Sequence, residues 1–172
     1  MTSTTTKREA AFTELYRLHL EAIVNYSSRR MSGDAAVEVV AETFAIAWRR
    51  FEDIPEGSEL PWLYGVARKT IANHRRGQLR RTALHDKLRN GWSPATQPLD
   101  DFSELSHLRK ALESMSDRDR DLLMLAGVEE LKPAEIAVVL DVSPEVAWNR
   151  LSRARSRLRS ALKSTKEVNH ER

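Results

Sequence analysis

Two clusters of basic residues are the groups in this chain whose type and spacing suit a chemical task. The first runs from Arg68 to Arg81 without an acidic residue, and the second runs from Arg150 to Lys163, also without one. Guanidinium and ammonium groups neutralise phosphates, and arginine can also donate two parallel hydrogen bonds to a guanine edge. The net charge is only +3, so the basic residues matter through their clustering. Both clusters favour nucleic-acid binding.

Residues for other chemistry do not form recognisable sites. The chain has no cysteine, which excludes disulfides and thiolate metal sites and is typical of a reducing compartment. His74 lies inside the first cluster, but no second histidine stands at ligand spacing. No glycine loop that cradles phosphate and no nucleophile elbow is present. We therefore predict no catalytic residue, no metal site, no cofactor and no enzymatic activity.

The elements that must position the two clusters are all predicted to be helices. Apolar residues recur at helical spacing, and the scarce glycines and prolines, six of each, mostly cluster between those runs. Gly91, Pro94 and Pro98 mark a stretch with few large apolar residues, which predicts a flexible linker. The predicted fold class is all-α, with two small helical domains at 8–82 and 103–165, joined by a linker at 83–102. The C-terminal domain contains a helix-turn-helix.

Three apolar stripes predict three helices in the first domain. The members of the stripes are Phe12, Leu15, Tyr16, Leu18, Ile23 and Tyr26; then Val37, Val40, Ala41, Phe44, Ala47, Trp48 and Phe51; then Trp62, Leu63, Val66, Ala67 and Ile71. Gly33 and Asp34 separate the first two helices. A loop from Asp53 to Pro61 separates the last two, and we expect Pro61 in the first turn of the third helix.

Residues 131–159 carry the start and stop residues of a helix-turn-helix. Pro133 can open a short apolar helix, and the break at residues 141–143 follows it; its Asp141 tolerates left-handed backbone. Ser143 is then an N-cap, Pro144 fits the first helical position, and Glu145 lies where the helix dipole favours an anion. Further upstream, Ser116 and Asp119 resemble a helix-starting box.

The second helix of this motif is expected to lie in the major groove. Its apolar side is predicted to consist of Val146, Leu151, Ala154, Leu158 and Leu162. Base contacts are expected from its N-terminal part, and the later arginines are expected to touch phosphate or solvent. Three alternatives stay open for Trp148: contact with a thymine methyl, packing on sugar, or contact with its own protein.

The first basic cluster places Lys69, Asn73, Arg76 and Arg80 on one helical face. Such a face suits a phosphate backbone or a separated DNA strand. Trp62 and Tyr64 lie just upstream, and exposed aromatic rings can stack on bases. We favour a core position for Trp62 and leave both alternatives open for Tyr64.

Six sequence segments, in order and at the expected separations, resemble the extracytoplasmic-function sigma factors of the primary-sigma superfamily. The segments are FTELYRLHL, VVAETFAIAWRRF, PWLYGVARKTIANHRR, ALESMSDRDRDLLML, AEIAVVLDVS and RLSRARSRLR. The resemblance covers about Phe12 to Leu162. It implies an alternative sigma factor that binds core RNA polymerase, directs promoter-specific initiation, and is controlled by an anti-sigma factor.

The resemblance also implies a role for each segment. Contacts with the coiled coil of the polymerase β′ subunit would come from Glu38, Val39, Val40, Glu42 and Thr43. Recognition and melting of the minus-10 element would involve Arg68, Lys69, Asn73, His74, Arg76 and Arg80, and the loop Glu56–Leu60 is positioned like the base-capturing loop of the family. Minus-35 recognition would involve Ser143, Glu145, Trp148, Asn149, Arg150 and Arg153.

This sequence departs from the family pattern at several of these positions. The family commonly has Asp-Leu-Val-Gln where this chain has residues 38–41, Glu-Val-Val-Ala, so one expected polymerase contact is missing. Lys69 and Asn73 replace the common Asn and Asp and make that face more positive. Trp148 stands where a Lys or Arg is usual. Lys132 replaces a Ser or Thr cap, which predicts a weaker start for the first helix of the motif.

Two other classes of protein share some of these features. A DNA-binding regulator that works without polymerase would have the same C-terminal motif, and a structural protein could use the basic residues to bind an acidic partner. Neither the first nine residues nor any later run reads as a signal peptide or a membrane span. We therefore expect a cytoplasmic protein, and a monomer when free because no long heptad seam is present.

Overall fold

The structure, a computed structural model, describes residues 2–85 and 104–170, which divide into two compact units. All regular structure in these two ranges is helical, which confirms the all-α prediction. The first unit contains α1 (Thr2–Ser28), α2 (Asp34–Arg49), a 3-10 turn (Phe51–Asp53) and α3 (Glu59–His85). The second contains α4 (Glu104–Glu113), α5 (Asp117–Gly127), most of α6 (Pro133–Leu140) and α7 (Pro144–His170).

The predicted linker lies almost wholly outside the described residues. Residues 83–85 continue α3, and the rest of the predicted linker falls in the gap at 86–103. The domain limits at 82 and 103 therefore stay predictions.

In the first unit, the three helices pack against one another around one core. Ile23 and Tyr26 of α1, Val39 of α2 and Leu63 of α3 are fully buried in it. Tyr64 is buried as well, and its ring centroid lies 4.9 Å from that of Tyr26. Tyr64 is thus a core residue rather than an exposed platform for bases.

Helix α2 is rotated by about one residue from the predicted stripe. Its buried residues are Ala36, Val39, Thr43, Phe44 and Ala47. Val37 and Ala41, which were expected in the core, are exposed instead. The reason is Thr43, which a count of apolar residues omits. Its hydroxyl donates to the carbonyl oxygen of Val39 at 2.7 Å, so the side chain is buried without an unpaired polar group.

The connections into α2 and α3 both use left-handed backbone at a glycine. Gly33 has φ 55° directly before Asp34, the first residue of α2. Gly57 has φ 74°, and its amide donates to Oε1 of Glu59 at 2.9 Å. Helix α3 therefore begins at Glu59, two residues before Pro61.

In the second unit, α7 packs against α4 and α5. Ser116 caps α5 as predicted, since its hydroxyl oxygen accepts a hydrogen bond from the amide of Asp119 at 3.2 Å. The Arg120 guanidinium donates to the carbonyl oxygens of Leu112, Glu113 and Met115 and so stabilises the C-terminal end of α4.

An ion pair ties α5 to α7. Both carboxylate oxygens of Asp119 accept from Nη1 of Arg157, at 2.7 and 2.9 Å, and Asp119 is buried. Arg157 was expected to touch phosphate or solvent; its side chain is exposed to solvent, and it also pairs with Asp119. Because its own side chain is mostly exposed, the pair contributes at most about 1 kcal/mol.

Candidate nucleic-acid and polymerase interfaces

The turn between α6 and α7 has the geometry that its sequence predicted. Asp141 adopts left-handed backbone, with φ 56°. The amide of Val142 donates to the carbonyl oxygen of Ala137 at 3.1 Å, which closes the end of α6. The two helices of the motif are therefore joined by a short turn with a defined hydrogen bond.

Both helices of the motif have side-chain hydrogen bonds at their N-termini. The hydroxyl oxygen of Ser143 accepts from the amide of Val146 at 3.3 Å, and Pro144 is the first residue of α7. At α6, Oε2 of Glu135 accepts from the amide of Lys132 at 2.7 Å. Glu135 thus supplies the half of a capping box that does not depend on the residue type at 132. The half that a Ser or Thr at position 132 would supply is absent, and the expectation that Lys132 weakens the start of α6 stays a prediction.

One side of α7 is buried, and this fixes which residues face outward. Ala147, Leu151 and Ala154 are buried, whereas Val146, which was predicted on the apolar side, is exposed. At about 100° per residue, the face opposite this buried side has small or acidic residues along its centre. These residues are Glu145, Asn149, Ser152 and Ser156, and all are exposed.

The arginines of α7 line the two edges of that outward face. Arg150 and Arg153 lie on one edge, and Arg155 and Arg159 lie on the other. Trp148 lies on the same edge as Arg155, and 59% of its surface is exposed. An outward face with small polar residues between two cationic edges suits a groove whose floor is bases and whose walls are phosphates.

The first basic cluster forms an exposed face on α3. Lys69, Asn73, Arg76 and Arg80 are all exposed on one side of the helix, as their spacing predicted. The Arg76 guanidinium donates to Oδ1 of Asn73, so the two side chains lie together. Arg68 is half-buried at the N-terminal end of the cluster. We name Lys69, Asn73, Arg76 and Arg80 the strand face.

His74 does not belong to the strand face. Its Nε2 lies 3.3 Å from Oε2 of Glu42, and its Nδ1 lies 3.8 Å from Oε2 of Glu38. Both carboxylates are on α2, so the imidazole lies between α3 and α2 instead of pointing toward a DNA strand. The minus-10 contact of His74 stays a prediction. Arg75 also turns away, since it donates to the carbonyl oxygen of Arg30 at 3.1 Å.

The exposed surface of α2 differs from the set that the family resemblance implied. Glu38 and Glu42 are exposed, but Val39 and Thr43 have no exposed surface, and Val40 is half-buried. Val39 and Thr43 therefore stabilise the core and cannot contact a partner directly. Sequence analysis missed that Val37, Ala41 and Ala45 are exposed. We name Val37, Glu38, Ala41, Glu42 and Ala45 the docking face.

The N-terminal part of α1 holds the far end of α2. The Arg8 guanidinium donates to the carbonyl oxygen of Trp48 at 2.5 Å and lies 4.8 Å from the centroid of the Trp48 ring. The Phe12 ring meets the same indole edge-on at 5.1 Å. A cation at a helix C-terminus is favourable because the unpaired carbonyls there carry partial negative charge. These contacts fix the C-terminal end of α2.

Within residues 2–85 and 104–170, no group of three or more His, Asp or Glu side chains is arranged to hold a metal ion. No helix in the same ranges combines the length and the apolar character that crossing a bilayer requires.

Both units match known families of sequence. Residues 15–81 match Sigma-70 region 2, and residues 106–158 match Sigma-70, region 4. The first match covers most of the α1–α3 unit, and the second covers α4 to the middle of α7. Region 2 precedes region 4 along the chain, which is the order of the six sequence segments that resemble the ECF sigma factors.

Three relatives carry related names. The chain is 29% identical over 136 residues to the probable RNA polymerase sigma factor RfaY of Xanthomonas campestris pv. campestris, across 74% of this chain and 34% of the relative. It is 26% identical to the RNA polymerase sigma factor YlaC of Bacillus subtilis, across 94% of this chain and 97% of the relative. It is 27% identical to the ECF RNA polymerase sigma factor SigE of Mycolicibacterium smegmatis, across 87% of this chain and 60% of the relative. The chain thus spans about a third of RfaY and nearly all of YlaC.

A solved structure agrees with these matches. The sigma factor RpoE in complex with the anti-sigma factor NepR, from Bartonella quintana, is similar with a TM-score of 0.63 and 25% identity, across 89% of this chain and 97% of that one. CnrH, in complex with the cytosolic domain of CnrY, has the same fold with a TM-score of 0.57 and 20% identity, across 91% of this chain and 90% of that one. The two regions together define a transcription initiation factor of the sigma-70 type. The chain belongs to the sigma-70 superfamily, as an extracytoplasmic-function (ECF) sigma factor.

The N-cap at Ser143 gives a direct test of how α7 is held. Ser143→Ala removes the oxygen that accepts from the amide of Val146, and we expect the free energy of unfolding of the second unit to fall by about 1 kcal/mol. Denaturant unfolding of the full chain measures it. Ser160→Ala, in the exposed middle of the same helix, is the matched control and should change stability by less than about 0.5 kcal/mol. Equal effects of the two substitutions would contradict the capping role.

Proposed function

We propose that this chain binds core RNA polymerase and directs promoter-specific initiation of transcription. The observation that carries the proposal is the presence, in one chain, of an exposed strand face on α3 and a helix-turn-helix with an exposed recognition helix. The first would recognise and melt the minus-10 element, and the second would read the minus-35 element. The names of the relatives support this function. We infer no catalysis by the chain itself, and a place of action in the bacterial cytoplasm, where polymerase and promoter meet.

The docking face of α2 is the proposed contact with the coiled coil of the β′ subunit. Glu38 and Glu42 supply negative charge on the side nearest α3, and Val37, Ala41 and Ala45 supply a shallow apolar strip beside it. Small and apolar residues let another helix approach closely, and the flanking carboxylates select a partner with basic residues. The missing Gln of the family pattern falls at Ala41, inside the strip, so burial of apolar surface replaces one polar contact in this chain.

The strand face of α3 is the proposed site of minus-10 capture. Arg76 and Lys69 can follow the phosphates of a separated strand, and the amide of Asn73 can bond a base edge. The hydrogen bond from Arg76 to Asn73 reduces the freedom of both side chains before DNA arrives. The neutral Asn73, where the family commonly has an acid, leaves the face more positive.

These contacts alone do not offset the cost of opening DNA. Stacking contributes about 1.4 kcal/mol per base-pair step, and flipping a base out of the helix costs a few kcal/mol more. Several opened pairs therefore cost more than a few phosphate and base contacts return. Core polymerase must share the opening energy, and by holding both units it also raises the effective concentration of each at the promoter.

An anti-sigma factor is the proposed regulator. The similar RpoE of Bartonella quintana was solved in complex with the anti-sigma factor NepR, which supports a partner of this kind here. A protein that covers the strand face or the docking face would block polymerase-dependent function without altering the fold. Affinity capture of the chain from its own cells should recover a dedicated inhibitor as well as polymerase. Repeated recovery of polymerase alone, in the absence of any inducing condition, would argue against such a regulator.

The docking face predicts a loss of polymerase affinity for Ala41→Arg. The substitution puts a long cation in the middle of the apolar strip and keeps a good helix former, so the unit should fold while binding to core polymerase weakens by tenfold or more. Fluorescence titration of labelled protein with core polymerase measures this. Leu18→Arg is the matched control, because Leu18 is an apolar residue of α1 that is 69% exposed outside the docking face. Equal affinities for the two variants would contradict the assignment.

The strand face predicts a defect that depends on DNA opening. Asn73→Ala and Arg76→Ala should each reduce transcription by core polymerase from a duplex promoter by about tenfold, since a lost charge-assisted or base contact is worth about 1–3 kcal/mol. Gln78→Ala, exposed on the opposite side of α3, should transcribe normally. A promoter with a pre-opened minus-10 bubble should recover most of the activity for both strand-face variants if they act in opening.

The same assay tests the proposed function as a whole. Purified core polymerase with the chain should produce specific transcripts from a pool of genomic promoters, and core polymerase alone should not. Sequence-specific duplex binding without any polymerase-dependent transcript would instead indicate a stand-alone regulator.

A further inference from the structure

Trp148 is an exposed aromatic residue at the N-terminal part of the recognition helix. It lies in the second turn of α7, and 59% of its surface is accessible. The buried side of α7 consists of Ala147, Leu151 and Ala154, and Trp148 lies about 90° from the centre of that side. Packing against its own protein, one of the three alternatives open from the sequence, therefore does not account for this side chain.

The charges around Trp148 disfavour a contact with the DNA backbone. The residues three before and four after Trp148 are Glu145 and Ser152, which lie beside it along the centre of the outward face and are both exposed. A carboxylate one turn away repels phosphate, and neither neighbour is a cation. Arg155 and Arg159, the cations of the edge on which Trp148 lies, are two and three turns further along the helix. Phosphate contacts on this edge thus belong to the arginines, and Trp148 lies on the part that enters the groove.

An indole in the major groove has one apolar feature to contact. Among the four bases, only thymine carries a methyl group there. The other groups that the bases present in the major groove are hydrogen-bond donors and acceptors. The N-terminal residues of a recognition helix are those that reach base edges. Glu145 and Asn149 flank the tryptophan and supply polar groups, so the apolar ring is the part of this surface suited to a methyl group.

We propose that Trp148 is a specificity-determining residue that selects thymine at one position of the minus-35 element, by burying the 5-methyl group against its ring. This inference rests on the proposed function and deepens it. The family resemblance implies a cation at this position, so the proposal exchanges an interaction with phosphate for an interaction with a base.

Deoxyuridine substitution isolates the methyl group. Deoxyuridine pairs as thymine does but lacks the methyl, so promoters that carry it at one minus-35 position at a time differ from the parent by that group alone. With core polymerase and the unaltered chain, open-complex formation should weaken about fourfold at one position, the value for burial of one methyl group. With Trp148→Ala, thymine and deoxyuridine at that position should behave alike. Trp148→Leu, which keeps an apolar side chain, should retain part of the discrimination.

Val146→Ala is the matched control, because Val146 is exposed on the other edge of α7. This variant should keep the fourfold discrimination at the position that Trp148 reads. If Trp148→Ala weakens open-complex formation by the same factor on thymine and deoxyuridine promoters, the fourfold difference between them remains. The ring then contacts sugar or phosphate, and the proposal is overturned. The proposal is also overturned if the unaltered chain supports specific transcription but deoxyuridine has no effect at any minus-35 position. A complete lack of polymerase-dependent transcription would instead overturn the proposed function beneath it.

Discussion

The rotation of each helix about its own axis is the constraint on which both functional surfaces depend. A helix can offer a partner only those residues that lie away from the side it buries. In α2 the buried side is set by Val39 and Thr43, and in α7 it is set by Ala147, Leu151 and Ala154. Once these sides are packed, the residues that form the docking face and the outward face of α7 are fixed. A shift of one residue in either pattern would turn every contact by about 100°.

This constraint explains where sequence analysis succeeded and where it did not. Local features were predicted well: the left-handed turn at Asp141, the caps at Ser116 and Ser143, and the exposed face that contains Asn73 and Arg76. Each of these features depends on residues within a few positions of one another, so the local sequence is sufficient to predict it. The helical class of the fold follows from apolar spacing in the same way.

Features that depend on another helix were harder to predict. Thr43 is polar by type, and only its hydrogen bond to Val39 within a packed unit makes it a core residue. His74 is on α3 but does not fit the spacing of the strand face. Its position is set by two carboxylates of α2, about thirty residues earlier in the chain. By sequence, Arg157 is one of several cations of a basic helix. In the structure it donates hydrogen bonds to Asp119 of α5. For His74 and Arg157 the deciding partner is distant in sequence, and periodicity has no information about it.

The contact of His74 with Glu38 and Glu42 directly links the helix of the strand face to the docking face. The imidazole is on the helix of the strand face, and the carboxylates are part of the docking face. Free-energy coupling between two sites is reciprocal: if an occupant of one changes affinity at the other by some factor, the reverse effect has the same size. Under the proposed function, a polymerase contact that competes with His74 for Glu42 would change the affinity of the strand face for DNA, and DNA binding would change the affinity for polymerase by the same factor. A single side chain would then make release from polymerase after initiation sensitive to whether the promoter is still held.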